Sequence, residues 1–207
     1  MIRVDNIQTF NFEGAIRGMR NPMNSWSKSD SGFEKGYYIV GNADMELMKR
    51  LYNAGSEHRK YLRQIFVSLD ITAPLYWWKE FDTYKIGTTA NSCSTMHKLS
   101  SRDLNIDDFS HEHLNSAMEG TLAGIICLIN YNRKQFLETK EKQFWWQMIQ
   151  ILPTSYNQKR TVTLNYENVM NIINQRTGHK LDEWNDLVEI LLNLPCIREI
   201  RGEDDEN

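Results

Sequence analysis

Residues 65–74, IFVSLDITAP, constrain the fold most. Ile65, Val67, Leu69 and Ile71 alternate with Ser68, Asp70 and Thr72, and only a β-strand gathers such a set on one face. Pro74 ends the strand and suits the first turn of a helix, which LYWWKEFDTYK supplies with aromatic residues. GTTANSCST follows from Gly87 to Thr95, rich in hydroxyls and poor in apolar groups, which predicts a ligand-facing loop rather than packed core.

Other segments carry weaker periods. Ile2, Val4, Ile7 and Phe10 predict an N-terminal strand whose alternation breaks after Val4. The serine-rich stretch from Arg20 to Gly36, with Trp26 in it, predicts a long surface loop. Leu47, Met48, Leu51 and Tyr52 recur at helical spacing, with Gly55 placed to end that helix. Ser110 is the expected cap of a helix carrying Leu114, Met118, Leu122, Ile125 and Ile129, and Phe144, Trp145, Met148, Ile149 and Leu152 mark the next. A polar, basic stretch around Lys159 and Arg160 leads to a helix with Val169, Ile172, Ile173 and Arg176, and then to one with Trp184, Leu187, Val188, Leu191 and Leu192. The reading is an α/β (α+β) single domain over residues 1–202, with an acidic disordered tail at 203–207.

Composition excludes several functions. A formal charge of −3 with scattered basic residues argues against a dedicated nucleic-acid binder. Cys93, Cys127 and Cys196 are too few and too widely spaced for a disulfide framework or a CxxC zinc site, and they fit a reducing, cytoplasmic setting. The longest apolar run, around Cys127, falls far short of the ~20 residues of a membrane span. His111 and His113 stand two apart rather than four, so no HExxH metal site is expected. No glycine-rich phosphate loop and no GxSxG elbow is present. Adjacent residues on a helix diverge by about 100°, so one tryptophan of Trp77/Trp78 and one of Trp145/Trp146 is expected in core. His58, Arg59, Lys60 and Arg63 form a basic cluster suited either to phosphate or to a solvated helix end.

The run from Ile65 to Met96 resembles the central segment of the flavin-dependent thymidylate synthases, where a similar strand and Ala-Pro pair precede the signature RHRxxSxNxxSxR. A second match lies in Leu152-Pro153, the basic pair Lys159-Arg160, NYENVMNIINQR and Trp184, which are similar to the family's LP, arginine, NARSLMNFLNLR and tryptophan. AIRGMR at Ala15–Arg20 is fainter against the family's AARVSF. Laid over the signature, Thr83, Tyr84 and Lys85 replace Arg-His-Arg, Thr88 keeps a hydroxyl, Ala90 replaces asparagine, Cys93 the second serine and Thr95 the last arginine. The charge-assisted forks that hold phosphate are therefore largely gone, and a lysine is no bidentate substitute.

The resemblance implies a thymidylate-synthase-complementing-protein-like sheet flanked by helices, assembled as a homotetramer. It implies nucleotide contacts from Lys85, Thr88, Asn91, Ser92, Cys93, Ser94, Lys159, Arg160 and Arg176, and cofactor-side positions at His58, Arg59, Tyr84 and Asn165. The broken signature favours a divergent protein that binds a nucleotide or similar phosphorylated ligand, senses or sequesters it, and carries no cofactor. The alternative is an FAD-dependent synthase that converts dUMP to dTMP with a folate carbon donor. Whether the chain is an enzyme stays open at this point.

Overall fold

The computed structural model describes residues 2–203; apart from Glu203, the expected acidic tail lies outside them. In chain order the elements are β1 (Arg3–Phe10), α1 (Phe12–Arg20), β2 (Gly32–Glu34), β3 (Tyr37–Ile39), α2 (Asn42–Asn53), β4 (Phe66–Pro74), α3 (Leu75–Phe81), β5 (Thr89–Ser92), α4 (Thr95–Lys98), α5 (Ser116–Thr139), α6 (Lys142–Ile151), β6 (Asn157–Asn165), α7 (Tyr166–Arg176), α8 (Asp182–Leu192) and α9 (Ile197–Arg201). This is the mixed helix-and-sheet class expected. The residues gather into two compact units. The first takes the chain up to residue 5, 70–83 and 90–161, and the second 6–69, 84–89 and everything described from 162 onward.

The principal sheet has the order β1-β4-β6-β5. Val67, Leu69, Ile71 and Ala73 of β4 are all buried, as the alternation requires, while Ser68, Asp70 and Thr72 are half-covered. Tyr166 N donates to Ile65 O and Leu75 N to Tyr156 O, both at 3.0 Å. Residue numbers therefore fall along β6 as they rise along β4, which makes the pair antiparallel. β6 is the basic stretch that the sequence pattern left without structure. Only Val162 and Leu164 alternate inward there, and its polar half is stabilised by partners remote in sequence. In β1 the left-handed φ of 53° at Asn6 breaks the two-residue period, which accounts for the slip between Val4 and Ile7.

In the first unit α5 packs on α6 around Leu122, Ile126, Ile129 and Met148, with Leu99, Leu104 and Phe109 completing the cluster. Ser110 does not cap α5: its hydroxyl donates to Asn157 Oδ1 at 2.9 Å, and Asn115 caps instead, accepting from Met118 N at 3.1 Å. Leu114 accordingly lies outside the helix. One tryptophan of this pair was expected in core, and both Trp77 and Trp78 are buried. Trp78 Nε1 keeps its hydrogen bond by donating to Gln158 O at 2.9 Å. Trp145 and Trp146 divide as expected, the second being exposed.

In the second unit the expected loop between α1 and α2 is ordered. Two short 3-10 turns precede the antiparallel β2–β3 hairpin, in which Lys35 (φ 50°) and Gly36 (φ 89°) are both left-handed, as a type I′ turn demands. Asp44, fully buried, accepts from Arg20 Nε and from the hydroxyls of Ser29 and Ser31 at 2.6 Å each, and from the amides of Asp30 and Ser31 at 3.2 Å. Asp30 reciprocates, accepting from Ala43 N at 2.8 Å and Asp44 N at 3.1 Å in the first turn of α2. Two carboxylates thus order a serine-rich segment that has little apolar reason to fold.

Candidate functional site

The polar face of the principal sheet carries the most concentrated chemistry of the first unit. Arg3 of β1, Thr72 of β4, Lys159 of β6 and Cys93 just after β5 follow one another in the order of the strands, and all four line one cavity of about 470 Å³. The antiparallel register sets Thr72 beside Lys159, and Cys93 N donates to Lys159 O at 2.9 Å. Arg102, Asp108, Tyr156 and Asn157 line it too. That volume lies in the 300–1,000 Å³ range of small-molecule sites.

The cations here are held in place by carboxylates. Lys159 Nζ lies 2.9 Å from Asp70, which also accepts from Thr161 Oγ1 at 2.6 Å. The Asp70 hydrogen bond raises the Lys159 pKa and keeps the ammonium charged. Arg102 makes a two-pronged pair with Asp108. Burial raises the Asp108 pKa, but the hydrogen bonds from Arg102 and from the Asn105 amide outweigh it, so the carboxyl stays below its usual range. Burial, helped by the Asp108 charge, pushes the Tyr156 phenol up, so its O–H remains a donor at neutral pH. The Thr72 hydroxyl is a buried polar atom with no hydrogen-bond partner among the described residues, and it lies in the lining of this cavity. An unmet buried hydroxyl costs free energy that a ligand atom would recover.

The remaining expected residues divide between the units. In the first, Asn91 and Ser92 lie on the exposed strand β5, so part of the hydroxyl-rich loop is an edge strand, and Ser94 caps α4 by accepting from His97 N at 3.2 Å. Arg160 is committed within the protein: it pairs with Asp82 at 2.7 Å and lies 4.2 Å over the Trp78 ring.

In the second unit Lys85 is exposed, and the Thr88 hydroxyl is buried with no hydrogen-bond partner among the described residues. Tyr84 donates to Gln175 Oε1 at 3.0 Å and accepts from Arg176 Nε at 2.9 Å, and the Arg176 guanidinium lies 4.3 Å over the Trp184 ring. Asn165 caps α7, accepting from Asn168 N at 3.0 Å, while Asn168 Nδ2 donates to Ile86 O at 2.7 Å. Gly87 between them has φ 74°, and a Cβ there would stand 2.7 Å from Asn165 Nδ2, so glycine is required on two counts. Of the basic cluster, His58 is exposed, Arg59 donates to Tyr52 O at 2.7 Å and stacks 4.3 Å over its ring, and Arg63 forms a forked pair with Glu167.

Sequence reasoning missed Arg3, Thr72, Arg102 and Tyr156. Thr72 was legible as a polar position on β4; the others become neighbours only through the tertiary fold. Among the described residues no three His, Cys, Asp or Glu side chains gather as a metal site, and no helix is long and apolar enough to cross a membrane.

No family model and no curated protein matches the sequence. Solved structures do. Two of the flavin-dependent thymidylate synthase ThyX from Helicobacter pylori, each with FAD and dUMP, superpose with TM-scores of 0.70 and 0.71 at 20% identity. They cover 98% and 99% of this chain and 98% of theirs. The UMP/dUMP methylase PolB from Streptomyces cacaoi, bound with 5-Br dUMP, reaches 0.62 at 11% identity over 98% of this chain and 95% of its own. From end to end, this chain has the fold of the flavin-dependent thymidylate synthases.

Proposed function

We propose that the chain binds a nucleotide carrying a single phosphate in the cavity floored by Arg3, Thr72, Lys159 and Cys93, and that it senses or sequesters this ligand in a homotetramer. The observation that carries the reading is the row formed by Arg3, Thr72 and Lys159 on three strands and Cys93 just after the fourth, in a fold whose solved representatives hold dUMP or its bromo analogue. Lys159 spends one ammonium direction on Asp70 and has three donors. Arg3 uses Nε on Asp5 and keeps an exposed guanidinium. Asp70, Asp108 and Asp107 oppose them, so the site suits one phosphate better than a chain of them.

The positions assigned to flavin by resemblance are partly engaged within the fold, which supports the expectation of no cofactor. Arg59 is spent on Tyr52, Tyr84 on Gln175 and Arg176, and the Asn165 side-chain oxygen on the α7 cap. Each of these three residues makes at least one bond within the fold, although Arg59 keeps both of its terminal nitrogens and Asn165 its amide nitrogen as further donors.

Calorimetric titration with dUMP, UMP, dTMP and the corresponding nucleosides tests it. A monophosphate is expected to bind, and Lys159→Ala to weaken it about 10- to 100-fold, as the loss of a charge-assisted hydrogen bond should, with little change in melting temperature. The protein purified from cells is expected to be colourless. Failure of every mononucleotide to bind at millimolar concentration would overturn the proposal, and about one flavin per chain in the visible spectrum would restore the synthase alternative.

A further inference from the structure

The ordered segment between α1 and α2 holds up three aromatic rings. Trp26 is 50% and Phe33 66% exposed, and Tyr38 is half-buried. Phe33 and Tyr38 meet edge to face at 5.1 Å, and the Trp26 indole donates to Asn21 Oδ1 at 2.9 Å, so the rings are fixed in place. They line a cavity of about 240 Å³ in the second unit together with the buried Ile16 and Arg20. Rings of this size left open to water in a tightly hydrogen-bonded segment call for a cover.

The lining contributes a specific polar group. Arg20 is only 4% exposed. Its Nε donates to Asp44 and its Nη1 to Ser25 O at 3.3 Å, while Nη2 meets no acceptor among the described residues. A guanidinium nitrogen in that position is a donor waiting for an oxygen. Arg17 and Glu13, one turn apart on α1, line the cavity as well. The formal charges of Arg20, Asp44, Arg17 and Glu13 sum to zero, so the surroundings favour a neutral occupant with an acceptor for Arg20 and a donor for Glu13.

We propose that this cavity is a second binding site, for a neutral, single-ring planar heterocycle with adjacent carbonyl and N–H groups: the ring lies against Trp26 and Phe33, the carbonyl accepts from Arg20 Nη2, and the N–H donates to Glu13. The volume admits one ring with small substituents. The site shares no residue with the nucleotide cavity and does not depend on the nucleotide reading.

The test is a titration of the full chain with 2-pyridone, followed through the tryptophan indole N–H resonances, with Trp26→Phe identifying the signal. The Trp26 resonance is expected to shift saturably. Phe33→Ala, at an exposed position that leaves the fold intact by circular dichroism, is expected to weaken binding about fivefold. Benzoate, similar in shape but charged, is expected to bind more weakly than 2-pyridone. An unshifted Trp26 signal at millimolar 2-pyridone, equal affinity in Phe33→Ala, or tighter binding of benzoate would each overturn the proposal.

Discussion

Asp44→Ala should lower the unfolding free energy by about 3–5 kcal/mol, the usual result of removing one partner of a buried ion pair. In the variant Arg20, 4% exposed, keeps its charge and loses the acceptor 2.6 Å from Nε. Ser29, Ser31 and the amides of Asp30 and Ser31 lose theirs as well. For a chain of this size the melting temperature should fall on the order of 10 °C. Urea unfolding measures the change, and a loss under about 1 kcal/mol, the range of an exposed pair, would show that the segment is ordered by something else. The same network has a pH signature. Burial raises the Asp44 pKa, but the hydrogen bonds from Ser29, Ser31 and Arg20 outweigh it, and the carboxyl ends below its ordinary value of 3.8. Its contribution is therefore fully present above pH 3.8 and lost as the pH falls through the lower folded value. Unfolding free energy measured from pH 6 to pH 2 should drop more steeply in the wild type than in Asp44→Ala.

Trp184→Ala should cost a further class of stability, about 3–5 kcal/mol, since the ring is fully buried and its removal leaves a large cavity. It also removes the face on which the Arg176 guanidinium rests at 4.3 Å and the edge contact with Tyr84 at 6.0 Å. Trp184→Phe keeps an aromatic face and should lose about half as much. This geometry also changes the expectation for Arg176. Arg176 is packed on Trp184 and bonded to Tyr84, so Arg176→Ala should lower stability whether or not it weakens a ligand. Thermal unfolding of the three variants separates these roles: equal melting temperatures in wild type and Arg176→Ala would mean that the stack contributes nothing.

The expected signature histidine shows how a motif can persist in outline while its chemistry turns inward. Tyr84 occupies that position and is bonded to Gln175 and Arg176. That the phenol at this place bonds to α7 cannot be read from spacing, which shows only an aromatic residue at one place in the chain. Arg160 is a similar case. Its charge suggested phosphate, but Asp82, 78 residues away in sequence, stands at 2.7 Å.

What the sequence determined by itself was local and periodic: the buried face of β4, the proline between β4 and α3, the apolar stripes of α6, α7 and α8, and through the two matching segments the fold. These are legible because a side chain's face follows from its distance along a helix or strand. The tertiary structure alone decided that Asn157–Asn165 is a strand, that Asn115 rather than Ser110 caps α5, and that Asp44 orders the segment before it. It alone gathered Arg3, Thr72, Cys93 and Lys159. The reason is physical. A charged or hydroxyl side chain is stabilised by whichever partner strand pairing brings within 3 Å, and a one-residue change of register would give each of them a different neighbour.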